Sequence, residues 1–116
     1  MKIVNRSALL VRPKDPYVHW ANSFDDAETI LSLDEHREGC TVYLVQEVMD
    51  ERGLGRILKR HYENIFEYEL AAWMADESTW PSRRDYKTFV EWFDVECHSV
   101  VCDISNEELL TETLVV

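Results

Sequence analysis

Asp94, Glu96 and His98 are the residues in this chain whose types and spacing best suit chemistry. If the stretch Trp92-Phe93-Asp94-Val95-Glu96-Cys97-His98-Ser99 is extended, the three alternate onto one face, with neighbouring side chains roughly 6.5 to 7 Å apart. Two carboxylates and an imidazole are ligands for non-haem iron, manganese or zinc, and a hydrolase uses the same types as a base and its orienter. The competing expectation is a salt-bridge cluster. If the strand ending at Arg12 lies beside the one starting at Asp94, then Arg12 and Lys14 neutralise Asp94 and Glu96, and the trio is structural.

Other templates fail on inspection. Gly53-Leu54-Gly55 lacks the third glycine and the lysine of a phosphate-binding loop, and neither GxSxG nor HExxH occurs. Cys40, Cys97 and Cys102 are odd in number and form no CxxC pair, so neither a disulfide framework nor a zinc ribbon is indicated, and a reducing compartment fits best. No cofactor is indicated. His61 falls on the apolar stripe of a long helix, which predicts a core histidine. Six tryptophans and phenylalanines crowd the second half, and Phe66 and Trp73 are expected in the core. Trp80, before Pro81 and beside Asp76 and Glu77, and Trp92 are the candidates for an interface or pocket.

The elements that must position these residues are read from periodicity and caps. Arg6 to Arg12 reads as a strand buried on both faces, stopped by Pro13. Asp15-Pro16 reads as a cap and first turn of a helix ending near Ser23, with Tyr17, Trp20, Ala21 and Phe24 on one face. Ser32 with Glu35 forms a capping box for a single turn closed by Gly39. A second strand runs from Cys40 to about Gln46. A long helix spans about Arg52 to Met74 on a stripe of Leu54, Ile57, Leu58, His61, Ile65, Tyr68, Ala72 and Trp73. Asp85 caps another helix carrying Tyr86, Phe89, Val90 and Phe93, a third strand covers Asp94 to Asp103, and Ser105 with Glu108 opens a terminal helix through Leu110. The expected fold is α+β or α/β: one domain over residues 1–116, a small three-stranded sheet covered by helices, the third strand beside the first and the long helix across the sheet.

Length and charge bound the function. A chain of 116 residues buries roughly 60 to 70% of its unfolded surface, enough for a modest core without a metal or disulfide. With 12 Lys and Arg against 23 Asp and Glu the formal charge is −11, which argues against binding nucleic acid or an anionic membrane. From Thr88 to Val116 there is no Lys or Arg and seven acids, so the C-terminal quarter is the acidic end. The apolar run Ala8 to Val11 is too short for a signal peptide or membrane span, and a cytoplasmic location is expected.

Four motifs stand out along the chain: Arg12-Pro13-Lys14-x-Pro16 with Trp20; Thr41-Val42-Tyr43-Leu44; Asp76-Glu77-Ser78-x-Trp80-Pro81; and Trp92-Phe93-Asp94-x-Glu96-x-His98-Ser99-Val100. Together they make the chain, from about Ser7 to Asp103, resemble a family of small bacterial proteins to which no activity is attached. The resemblance implies a bacterial, cytoplasmic, single-domain protein and marks those motifs as characteristic without giving any a role. Three functions compete. The leading one is a non-enzymatic interaction module acting through an acidic, aromatic surface toward a protein partner or a second copy. The others are a metal- or ligand-binding enzyme built on Asp94, Glu96 and His98, and an acidic mimic of nucleic acid, which needs a continuous acidic face.

Overall fold

The computed structural model describes residues 1–24 and 30–114. Its sheet is built around Ser7–Pro13 (β2, following a short β1 at Lys2–Val4), whose alternate residues Ser7, Leu9, Val11 and Pro13 are buried. β2 is flanked antiparallel by β3 (Val42–Val45) and β4 (Phe93–His98), giving the order β3-β2-β4. The third strand expected from the sequence thus lies beside the first, in the register Arg12↔Asp94, Leu10↔Glu96 and Ala8↔His98. Because strand side chains alternate, Leu9, Val11, Tyr43, Val45, Phe93, Val95 and Cys97 face the helices, while Ala8, Leu10, Arg12, Val42, Leu44, Asp94, Glu96 and His98 share the outer face.

Helices close the inner face. α1 (Asp15–Asn22) starts one residue earlier than expected: Lys14 is the N-cap and makes no side-chain cap bond, while Asp15 sits in the first turn, where its charge favours the positive end of the helix dipole. α2 (Leu33–Arg37) carries the full capping box between Ser32 and Glu35, and Gly39 at φ 67° turns the chain into β3, a conformation that favours glycine. α3 (Glu51–Trp73) is capped by Asp50, whose carboxylate accepts from the Gly53 N–H at 2.7 Å. The terminal pieces are a 3₁₀ turn at Glu77–Thr79 and α4 (Tyr86–Trp92), capped by Asp85.

The core forms two adjoining clusters. Val11, Tyr17, Ala21, Ile65, Phe66, Leu70, Phe89 and Phe93 make the larger, and Leu9, Val45, Val48 and Ile57 the smaller, so α3 spans the sheet as expected. The stripe on α3 is centred differently from the one the spacing predicts. Phe66 and Leu70 are buried and Tyr62 packs on the core, whereas Ala72 is exposed and His61 is only half-buried, because the aromatics of α4 draw the opposite flank of the helix inward.

Two other expectations are corrected. Asp94 to Asp103 is not one strand: β4 ends at His98, and β5 (Val101–Asp103) pairs with β1 in a separate two-stranded ribbon. Between the pairs Val4↔Val101 and Ala8↔His98 one chain has three residues and the other two, so the register slips by one and the paired strands bend as at a bulge. Ser7 Oγ pins the bend by donating to Ser99 O at 3.2 Å and accepting from Val48 N–H at 2.8 Å. The terminal helix after Ser105 is absent. Ser105 N–H donates to Asp103 Oδ1 and Ser105 Oγ accepts from Glu107 N–H, local bonds that compete with a helix whose Leu109 and Leu110 have no surface to bury against.

Candidate functional site

The outer sheet face holds the trio. Phe93, Val95 and Cys97 turn inward, so Asp94, Glu96 and His98 emerge together on the exposed side of β4. They do not converge. Glu96 Oε2 lies 2.7 Å from His98 Nε2 and 3.6 Å from an Arg12 guanidinium nitrogen, forming an acid bridged by two bases. The His98 hydrogen bond first, and the Arg12 charge second, hold the Glu96 carboxyl below its ordinary range. Asp94 turns away toward Arg37, 3.2 Å distant, which also donates from Nε to Pro13 O. Among the described residues no three His, Cys, Asp or Glu side chains are arranged to hold a metal ion.

The expected charge partners divide. Arg12 pairs as anticipated, though with its diagonal neighbour Glu96 rather than Asp94 opposite it. Lys14 does not touch the acids: its Nζ donates to Val90 O at 2.9 Å, closing the joint between α1 and α4. Arg37 takes its place, from the last turn of α2 and 57 positions away along the chain, a separation that leaves no local signal. The two arginines interleave with the two acids, so this face is not a continuous acidic surface.

The tryptophans divide too. Trp80 is tied into the fold, its indole N–H donating to Met74 O at 2.8 Å under the Arg84 guanidinium. Trp92 is half-buried and lines a shallow hollow of about 520 Å³ with Pro16, His19, Trp20 and Pro81. Trp20, named from the sequence for its helix face and motif but not as a pocket aromatic, has its ring 6.2 Å from that of Trp92 and donates from Nε1 to Thr79 O.

Beside the charged row the outer face is apolar. Val42 and Leu44 on β3 are 56% and 52% exposed, flanking Leu10 and Ala8 of β2. β3 is an edge strand, and along its open side runs a cleft of about 1220 Å³, walled by His61, Asn64, Ile65 and Tyr68 of α3 and reached by Glu112 and Leu114. Beneath it, Tyr43 OH donates to Glu69 Oε2 at 2.7 Å, and Tyr17 OH donates to Glu69 O. Burial raises the Glu69 carboxyl above its ordinary value against the opposing pull of the Tyr43 hydroxyl, and pushes that hydroxyl far up. Sequence reasoning missed both the cleft and this half-buried acid. The alternation Thr41-Val42-Tyr43-Leu44 was the available signal, but it does not reveal which side of the strand stays unpaired.

Comparison with family models, with characterised proteins and with solved structures finds no match to this chain. No helix among the described residues is long and apolar enough to cross a membrane.

Proposed function

We propose that this protein is a cytoplasmic, bacterial interaction module without catalytic activity, and that it docks a basic polypeptide on the outer face of its sheet. The observation that carries the reading is the pairing of exposed Val42 and Leu44 with a row whose charges are already satisfied by Arg12 and Arg37. An apolar patch rimmed by satisfied polar groups loses little by desolvation and gains by burial. The formal charge of −11 supplies the attraction for a basic partner and opposes a second copy of the chain.

The test is selection from a displayed library of random dodecapeptides, run in parallel on the wild type and on Val42→Lys/Leu44→Lys. Enrichment of basic peptides whose binding weakens with salt and is lost in the double variant is the expected result. A selection that enriches nothing, or the same peptides on both proteins, refutes the reading.

A further inference from the structure

The backbone of β3 along the cleft gives the interaction module a definite mode of binding, one that rests on the module reading itself. Val11 N–H donates to Thr41 O, and Thr41 stands opposite Val11 when the register Leu10↔Val42 is continued by one residue. In an antiparallel ladder, pairs that exchange hydrogen bonds alternate with pairs that do not. Thr41, Tyr43 and Val45 therefore bond to β2, and the N–H and C=O of Val42 and Leu44 point to the open side. Among the described residues no group answers them. Four backbone groups facing a cleft in strand geometry are a template for another strand.

We infer that the cleft takes an extended segment of a partner polypeptide as a fourth strand on β3, and that the segment alternates apolar with basic residues. The alternation comes from the two sides of the strand. Side chains opposite Val42 and Leu44 emerge on the outer face and extend its apolar row. Those between them turn toward α3 and meet Asn64, Tyr68 and Glu67, with Glu112 at the rim. Arg6 is the arginine lining the cleft and no lysine does, against Glu67 and Glu112, and the formal charge of −11 adds to their attraction for a basic segment. A second copy of the chain would bring to this edge the uncharged run Thr41-Val42-Tyr43-Leu44-Val45-Gln46 and a further formal charge of −11. A basic partner strand suits the cleft better.

The probe is an eight-residue peptide alternating valine and lysine, prepared also with N-methyl groups on its odd or on its even amides. Methylation of one set should weaken binding by about tenfold or more, since it removes the strand's hydrogen bonds, while methylation of the other set should leave binding nearly intact. Hydrogen exchange at the Val42 and Leu44 amides should slow on binding, with Tyr43 and Val45 unchanged. Val42→Pro, which removes the edge N–H together with the outer-face isopropyl group, should weaken binding of the parent peptide well beyond Val42→Ala, which keeps the N–H, without disturbing the fold. Equal loss in both methylated forms, or unprotected Val42 and Leu44 amides in the bound state, overturns strand addition while leaving docking on the sheet face intact. Failure of this peptide where selected dodecapeptides bind overturns the inference alone, and failure of both removes the module reading with it. Protection of Val42 and Leu44 by dimerisation without peptide assigns the edge to a second copy and refutes the inference.

Discussion

Phe66→Ala is the sharpest probe of what holds this fold together. Phe66 is 1% exposed, and its ring centroid lies 5.4 Å from Phe93, 5.6 Å from Trp92 and 6.0 Å from Phe89, so it joins α3 to both α4 and β4. A buried phenylalanine removes on the order of 150 to 200 Å² from water, worth about 4 to 5 kcal/mol at about 25 cal/mol per Å². That area term is an upper bound, because the unfolded chain already hides part of the ring. Leaving a cavity among three rings that cannot all collapse into it adds back a comparable amount, and the expected loss is about 3 to 5 kcal/mol. Against a typical stability of about 5 to 15 kcal/mol this takes a large share of the total. In a urea titration the midpoint should fall by about 2 M with the slope unchanged. In a thermal scan the melting temperature should fall by about 12 to 20 °C. A loss below about 1 kcal/mol would refute the reasoning and place the ring outside the cooperative core.

Two further outcomes concern one buried and one half-buried polar group. Ser7→Ala removes a fully buried hydroxyl and leaves the Val48 N–H without its acceptor, so it should cost about 1 to 3 kcal/mol and speed exchange at the Val48 amide; a variant as stable as the wild type would show that the bend at Ser7 needs no pin. Glu69→Gln should raise the melting temperature at neutral pH. The folded state holds the Glu69 carboxyl above its ordinary value, so its contribution to stability falls as pH rises from the unfolded carboxyl's pKa through the raised one, and the variant escapes that loss. The gap between variant and wild type should widen with rising pH and close in acid, and a gap independent of pH would refute the assignment.

What could be read from the sequence was what is local. The capping box at Ser32 and Glu35, the Gly39 turn, the Asp85 cap and the length of α3 each depend on residues within a few positions of one another. The adjacency of the first and third expected strands was also legible, since both carry apolar runs that need a covered sheet. The bulge separating β4 from β5 was not, because it arises from a one-residue mismatch between segments about 90 positions apart and leaves the alternation of either strand undisturbed. The site shows the same division. That Asp94, Glu96 and His98 share a face comes from period two, but that Arg37 rather than Lys14 answers Asp94 depends on where α2 docks.

The charge pattern assigns different tasks to different parts of the molecule. On the sheet face Arg12 and Arg37 balance Glu96 and Asp94, so the excess of 11 negative charges lies elsewhere, in part along the exposed run from Ile104 to Glu112. A locally neutral face beside an acidic remainder lacks the continuous acidic surface that mimicry of a polyanion needs. It is well matched to a basic segment drawn in from a distance and held at close range by other forces. In the proposed complex, long-range attraction of this kind would govern the rate of association and fade with salt, whereas apolar contacts of Val42 and Leu44 and the open backbone edge beside them would govern the rate of release. Raising the ionic strength should therefore slow binding of a basic peptide far more than it hastens its dissociation.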